Sequence, residues 1–206
     1  MSAKLLIADH RPIIQHGLVG AIGRKHIEIV GQPFDRASTL KLAKAKKPDV
    51  ILLGDLADGD PMRSLRLIKT RVGDTPVVVC LTDSNRTYFI RSYALGAAGF
   101  VTLDDGAEAI LNTALAAARN QSSWDRAEID SFLSTPSEPV DSPIHITPRE
   151  RQVIRLLSYG LPNREIGLLL KISIETVKEH VASIRFKLSV DDRTQAAVWA
   201  IQHGLD

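Results

Sequence analysis

The feature that most constrains the fold is a series of five short apolar segments in the first 120 residues, separated by longer stretches with helical periodicity. The segments are rich in Val, Ile and Leu and lack polar alternation, which is typical of parallel strands buried on both faces. In the first helical stretch, Ile13, Ile14 and Leu18 are expected on one apolar face. The predicted strands are KLLIA (4–8), IEIVG (27–31), DVILL (49–53), PVVVCLT (76–82) and AGFVT (98–102).

Strands that alternate with helices predict an α/β domain with a five-stranded, doubly wound parallel sheet of the flavodoxin-like kind. In such domains ligands and chemistry lie at the carboxyl ends of the strands. The third strand illustrates this in PDVILLGDLADGD, where the apolar run from Val50 to Leu53 stops at Gly54 and Asp55 follows as the first of several acids. We therefore expect a present or former site at this strand end.

The character of the chain changes after residue 120. Residues 120–144 hold five acidic residues against one arginine and are rich in Ser and Pro, which indicates a linker, with a short helix through residues 125–133. From residue 145 the pattern is purely helical, and four helices are expected. The predicted organisation is an α/β domain at 1–120, a linker at 121–144 and a small all-α domain at 145–206.

The starts of the C-terminal helices carry capping signals. Thr147, Pro148 and Glu150 have the spacing of a capping box with proline at the first helical position. Asn163 and Ser173 are expected to cap the next two helices. Only the turn KIS separates these two helices, which suits a helix-turn-helix.

In a helix-turn-helix the second helix enters the major groove of DNA. Here that helix spans residues 174–188, and cations on its outward face could neutralise phosphates or donate to guanine. The alternative is an ordinary solvated helix face. The residues expected to point outward are Glu175, Lys178, Glu179, Ala182, Arg185 and Lys187.

Residues 146–205 resemble the LuxR-type helix-turn-helix of bacterial transcription factors, through the motifs TPRE, GLPNREI, ISIETVKEHV and KLSVDDRTQAA. The resemblance implies that Lys178 contacts DNA, with Thr176, Glu179 and Ala182 flanking it. Glu179 and Ala182 depart from the apolar and basic residues that relatives often carry there. From these two departures we expect either a different base preference or weaker phosphate contact.

Two other parts of the C-terminal domain bear on DNA binding. Backbone amides at the helix starts near Asn163 and Ser173 can bind phosphates. The last helix, with Ala196, Ala197 and Trp199, resembles the surface through which such domains pair on DNA. Simple packing against the first helix of the domain explains part of the same apolar residues.

An α/β domain before a LuxR-type domain resembles the NarL/FixJ type of response regulator. LLIADHRPIIQHGL, KPDVILLGDLADGD, VVVCLT and LGAAGFVT are similar to segments of its receiver domain. A receiver transfers a phosphoryl group to an aspartate at the tip of the third strand. An acidic pair after the first strand holds Mg²⁺, and a lysine after the fifth strand contacts the phosphate.

This sequence keeps only part of that set. The first acid is present as Asp9, but the second position is His10. The phosphoacceptor position falls on Gly54, the hydroxyl position is kept as Thr82, and the lysine position falls on Leu103. The resemblance therefore implies a degenerate receiver site, and we expect a regulator that is independent of aspartyl phosphorylation.

Asp55 is the alternative acceptor. Because side chains alternate along a strand, a shift of one residue turns Asp55 away from the pocket unless Gly54 forms a bulge. A metal site from Asp9, His10 and Asp55 is conceivable by ligand type, although Mg²⁺ prefers oxygen ligands to His10. Neither alternative restores the missing lysine at Leu103.

Composition limits the remaining function classes. The net charge of +2 is too small to indicate nucleic-acid binding by itself, and Cys80 is expected to be a buried strand thiol. No signal peptide and no membrane span are expected, so the chain is expected to be cytoplasmic. With no glycine-rich phosphate loop and no nucleophile elbow, neither an enzyme nor a cofactor is predicted.

The sequence thus predicts a DNA-binding transcriptional regulator whose partner is double-stranded promoter DNA. A homodimer is expected at least on DNA, and the incomplete receiver gives no reason to expect a partner kinase. Two alternatives remain: a regulator switched by phosphorylation of Asp55, and a protein-interaction module with weakened DNA binding.

Overall fold

The computed structural model describes residues 2–22, 27–82, 85–133 and 144–205. It consists of two compact units, one ending at Trp124 and the other beginning at Asp125. Residues 121–124 of the predicted linker thus belong to the first unit, and the predicted short helix belongs to the second. Residues 134–143 of that linker lie outside the described residues. No helix within the described ranges is long and apolar enough to cross a membrane.

The first unit is the predicted α/β domain. Its elements are β1 (Ala3–Ala8), α1 (Pro12–Ile22), β2 (Ile27–Gly31), α2 (Arg36–Lys46), β3 (Val50–Leu53), α3 (Pro61–Arg71), β4 (Val77–Leu81), α4 (Arg86–Ala94), β5 (Gly99–Thr102) and α5 (Gly106–Ala118). The five strands form one sheet in the order β2-β1-β3-β4-β5, and every pairing is parallel. A single turn of 3-10 helix follows β5.

The sheet is buried on both faces, as the continuous apolar strands predict. Leu5 and Ile7 of β1 belong to the core on one side, and Leu6 and Ala8 to the core on the other. The expectation for Ile13 is wrong, since its side chain is 80% exposed. Successive helix positions differ by about 100°, so the chain turns Ile14 and Leu18 to the core instead.

Cys80 is a packing residue of this core. Its side chain is buried in β4, and burial raises the pKa of the thiol to about 12. A thiol that stays protonated is a poor nucleophile. The prediction of a buried strand thiol is confirmed.

The end of the first unit is fastened by an aromatic cluster. After α5 the chain turns back, and Ser123 N donates to the Ala98 carbonyl at 3.1 Å. The Trp124 indole donates to the Ala97 carbonyl at 2.8 Å and lies edge-on to Phe89 and Tyr93. Edge-to-face packing with a satisfied indole N–H is favourable, which explains why this part of the predicted linker is ordered.

The second unit contains the four predicted helices and the short helix before them. That short helix packs through Phe132, whose ring lies 4.8 Å from the Tyr159 ring, and the Leu133 carbonyl accepts from Gln152 Nε2 at 3.2 Å. The elements are α6 (Arg126–Leu133), α7 (Pro148–Ser158), α8 (Asn163–Leu170), α9 (Ile174–Leu188) and α10 (Arg193–Gln202).

The predicted caps are present with one exception. Thr147 and Glu150 form the capping box of α7, and Ser173 Oγ accepts from Thr176 N at 3.0 Å. Asn163 is not a cap: α8 begins at Asn163 itself, after Pro162, whose carbonyl accepts from Glu165 N. The missing side-chain cap follows from this one-residue shift.

Candidate nucleic-acid interface and receiver pocket

The receiver-like pocket lies at the carboxyl ends of three neighbouring strands. Asp9 follows β1, Gly54 and Asp55 follow β3, and Thr82 follows β4. Because β3 pairs with both β1 and β4, the parallel sheet brings these residues to one edge. All four were predicted from the sequence as candidate site residues, and the structure brings them together. The side chain that joins them was not predicted.

That side chain is Arg11. Its Nε donates to Asp9 Oδ1 at 2.9 Å and its Nη2 to Asp9 Oδ2 at 2.7 Å, which is a two-point contact. Its Nη1 donates to Thr82 Oγ1 and lies 3.2 Å from Asp55 Oδ2. Hydrogen bonding to Asp9 raises the pKa of Arg11, so a permanent positive charge lies between the two carboxylates.

The structure shows the direction of Asp55, which the sequence left open. Alternation along a strand turns its side chain away from the pocket, and a bulge at Gly54 would turn it back. However, β3 ends at Leu53, so Gly54 and Asp55 lie beyond the regular strand and strand alternation does not apply to them. The Asp55 carboxylate reaches Arg11 and therefore borders the same pocket.

A side chain at position 54 would collide with the Asp9 carboxylate in the position where Arg11 holds it. A Cβ atom at Gly54 would lie 2.1 Å from Asp9 Oδ2, far inside van der Waals contact. The Gly54 backbone is fixed by donation of its N–H to the Ala8 carbonyl at 2.8 Å. The space that a side chain at position 54 would take is occupied here by the Asp9 carboxylate, which Arg11 holds.

His10 and Leu103 are the two remaining residues of the expected receiver site. The Nδ1 of His10 lies 2.9 Å from the Asp55 carbonyl oxygen, so this nitrogen is the donor, since a carbonyl only accepts. Leu103 packs against the core cluster that contains Ile110 and Val101. Its apolar side chain offers no contact to an anion.

The residues do not fit a divalent cation either. A guanidinium already bridges Asp9 and Asp55, and a second positive charge between them would be repelled. Within the residues that the structure describes, no group of three or more His, Cys, Asp and Glu could hold a metal ion. The alternative of a metal site at Asp9, His10 and Asp55 therefore has no geometric support.

In the second unit, α8 and α9 form the helix-turn-helix. The turn is closed by donation of Ile172 N to the Gly167 carbonyl at 3.0 Å. A Cβ atom at Gly167 would lie 2.9 Å from the Ile172 carbonyl oxygen, so only glycine allows this close approach. Gly167 was not singled out from the sequence, although a glycine inside a helical pattern is a signal for such contacts.

The outward face of α9 is opposite its buried residues Val177, Ile184 and Leu188. Lys178 is exposed there, with 57% of its side chain accessible, and its Nζ donates to Glu175 Oε1 at 2.8 Å. The face also carries Glu179 and Ala182, which are exposed as predicted. Thr176 is half-buried beside the cap Ser173.

Two residues expected on that face are held elsewhere. Arg185 is half-buried and donates from Nη2 to the Asp191 carbonyl. Lys187 was expected to point outward, but its Nζ donates to Glu150 Oε2 at 2.6 Å. Lys187 precedes the buried Leu188 by one residue. Its side chain therefore starts close enough to the buried side of α9 to reach Glu150 on α7.

Glu150 is the centre of a buried network between α7 and α9. It is 3% exposed and accepts from Lys187, from Ser183 Oγ at 2.7 Å and from Thr147 N at 2.8 Å. Burial alone raises the pKa of this carboxyl, but the hydrogen bonds from Lys187, Ser183 and Thr147 outweigh it and bring the pKa to about 2. The carboxylate is thus ionised and fixes the position of α9.

The helix starts and the last helix complete the interface. Asn163 Oδ1 accepts from Arg193 Nη1 at 3.3 Å, which joins the start of α8 to α10. The helix α10 packs on α7, and its Ala196 is buried, whereas Val198 and Ile201 are exposed. Packing thus accounts for part of α10, and its outer face stays apolar.

Comparisons with known proteins agree with this architecture. The model of the family "Bacterial regulatory proteins, luxR family" matches residues 145–200. The transcriptional regulatory protein LiaR of Bacillus subtilis is 30% identical over 98% of this chain and 97% of its own length. The chain belongs to the luxR family of bacterial regulatory proteins.

Within this family the chain is a transcriptional response regulator of the NarL/FixJ type with a LuxR-type DNA-binding domain, and it is not an enzyme. Two solved response regulators have a similar fold. The match to ChrA, from a heme-sensing two-component system, covers 100% of this chain and 99% of the ChrA chain, with a TM-score of 0.54 and 24% identity. The match to RcsB in complex with DNA covers 98% of this chain and 99% of the RcsB chain, with a TM-score of 0.57 and 18% identity.

Proposed function

We propose that this regulator binds promoter DNA in the cytoplasm as a homodimer and acts without aspartyl phosphorylation. One observation carries the independence from aspartyl phosphorylation. The expected acceptor position is Gly54, and a Cβ there would lie 2.1 Å from Asp9 Oδ2. Phosphoryl transfer requires positive charge to stabilise the transferring group. The positive charge in this pocket is the Arg11 guanidinium, and it is already paired with the Asp9 and Asp55 carboxylates.

DNA binding through α9 is supported by its geometry. Lys178 is exposed on the outward face, and the helix is anchored from behind by Glu150 and Lys187. A lysine on such a face donates to phosphate or to guanine. The helix starts at Ser173 and Asn163 add backbone amides that favour phosphate, while Thr176, Glu179 and Ala182 flank Lys178 and Arg185 lies near the end of the helix.

Dimerisation is supported by α10, whose exposed Val198 and Ile201 form an apolar strip on the outer face of the DNA-binding unit. A structure of RcsB, which has the same fold, contains two dimers bound to DNA. A pair of domains would read two half-sites of the operator.

Replacing Lys178 with alanine is expected to weaken binding to a promoter duplex by about tenfold or more, because a specific contact contributes about 1–3 kcal/mol. Fluorescence anisotropy at several salt concentrations measures the loss. A phosphate contact would also lower the slope of log affinity against log salt by about one.

Lys41→Ala is the matched control, because Lys41 is an exposed lysine of α2 in the first unit. It makes the same change in net charge and is expected to leave affinity unchanged. Equal affinity of Lys178→Ala and the parent protein would support the alternative of an interaction module with weakened DNA binding.

A second candidate function is a regulator switched by phosphorylation of Asp55. The observation in its favour is that the Asp55 carboxylate borders the pocket near Thr82. If Asp55 is the switch, the DNA affinity of the parent protein responds to a phosphodonor and Asp55→Asn abolishes that response. If the protein acts without phosphorylation, the parent protein itself shows no response.

A further inference from the structure

Phe186 is the most conspicuous side chain that the proposed function leaves unexplained. It is 87% exposed on α9. At 100° per residue it points opposite the centre of the buried face formed by Val177, Ile184 and Leu188. It follows Ala182 by four residues and Lys178 by eight, so all three share the outward side of the helix.

Lys178 is the lysine on this outward side. It forms an exposed ion pair with Glu175, and Glu179 adds a second carboxylate. The other two cations of the helix are turned away, Arg185 to the Asp191 carbonyl and Lys187 to Glu150. Besides Lys178 and Glu179, this face therefore offers apolar contact to a groove, through Ala182 and Phe186.

We propose that Ala182 and Phe186 read the C5-methyl groups of thymines in the major groove. The thymine methyl is the apolar group on the major-groove edge of the four base pairs, and alanine and phenylalanine are side chains that contact it. The proposal rests on the proposed function, since it assumes that α9 lies along the groove.

The spacing of the two side chains predicts the spacing of the thymines. Residues four apart on a helix are about 6 Å apart along its axis. Successive base pairs rise by about 3.4 Å, so the two contacts fall about two base pairs apart in each half-site. With Glu179 as an acceptor for cytosine N4, the face would prefer pyrimidines on the contacted strand.

Uracil substitution tests this directly. A duplex is selected in vitro with the full-length parent protein, and each thymine is then replaced singly by deoxyuridine, which removes the methyl and keeps the base pairing. One or two positions in each half-site are expected to lose about fourfold in affinity, the effect of burying one methyl group. The remaining thymines are expected to have no effect.

The Phe186→Ala variant identifies the side chain that reads the methyl. It is expected to bind the selected duplex about tenfold more weakly, since the whole ring leaves the groove. It is also expected to be insensitive to deoxyuridine at one of the sensitive positions, as in a double-mutant cycle between contacting groups. Phe34→Ala, at an exposed phenylalanine of the first unit, is the matched control and keeps parental affinity and sensitivity.

Four results would overturn the proposal. Specific binding with no loss at any deoxyuridine rules out methyl readout while leaving the proposed function intact. Full sensitivity of Phe186→Ala at every position shows that another residue reads the methyl. If the oligomeric state of Phe186→Ala in solution changes while its DNA affinity does not, the side chain belongs to a protein interface. Failure to select any duplex would contradict the proposed function as well.

Discussion

Glu150→Gln is expected to destabilise the C-terminal unit by about 3 kcal/mol at neutral pH. The Glu150 pKa of about 2, against an ordinary value of 4.5, corresponds to about 3 kcal/mol of folding free energy. The variant also leaves the Lys187 ammonium without its counter-charge in a half-buried place. Hydrogen exchange followed by mass spectrometry localises the loss to α7 and α9.

The same shift predicts the acid dependence of stability. Since folding lowers the pKa, the contribution of Glu150 is complete above about pH 4.5 and is lost as pH falls toward 2. The amide introduced by Glu150→Gln does not titrate, so this variant should lose less stability over that range. Glu179→Gln, at an exposed carboxylate of α9, is the control and should behave as the parent protein does.

Arg11→Ala is expected to destabilise the first unit by about 3 kcal/mol and to make its stability depend on Mg²⁺. Asp9 is only 3% exposed, and removing the cation from a buried pair is costly. Without Arg11, the oxygens of Asp9 and Asp55 form the kind of acidic pair that Mg²⁺ prefers. A ligand that binds only the folded state raises its stability, so thermal unfolding should shift upward with Mg²⁺.

Arg36→Ala is a matched control for this variant. Arg36 also pairs with a loop carboxylate, Asp58, in the same unit. The Arg36 variant should show a smaller loss of stability and no response to Mg²⁺. Equal stabilisation of the parent protein and of Arg11→Ala by Mg²⁺ would mean that Arg11 does not occupy the cation position.

The outline of the fold was predictable because it depends on strong periodic signals. The apolar strands predict a two-sided sheet, and the capping box at Thr147 and Glu150 predicts the start of α7 correctly. Where neighbouring residues compete for one face, the prediction was less accurate: Ile13 is exposed and Ile14 is turned inward. Two adjacent residues are about 100° apart around a helix, so they cannot both be fully buried by one narrow apolar face.

The chemistry of the pocket was only partly predictable. The absent groups at Gly54 and Leu103 were visible in the sequence, but the role of Arg11 was not. It depends on a guanidinium that spans the ends of β1, β3 and β4, and no local pattern encodes such a contact. Lys187 was misplaced for the same reason, since its partner Glu150 lies 37 residues away in the sequence.

The two units therefore have different chemical characters. In the first, Arg11 pairs with Asp9 and Asp55 at the sheet edge, and Asp9 Oδ2 occupies the space beside Gly54. In the second, a buried ion pair holds α9 with an exposed face for DNA. The proposed function implies control by the abundance of the protein or by a signal other than aspartyl phosphate.

The most direct test of this account measures phosphorylation and DNA affinity on the same sample. The full-length chain is incubated with acetyl phosphate and Mg²⁺, its intact mass is determined, and its affinity for the selected duplex is compared with that of an untreated sample. We predict an unchanged mass and an unchanged affinity. A stoichiometric mass increase of one phosphoryl group that is lost in Asp55→Asn, together with a changed DNA affinity, would contradict the account.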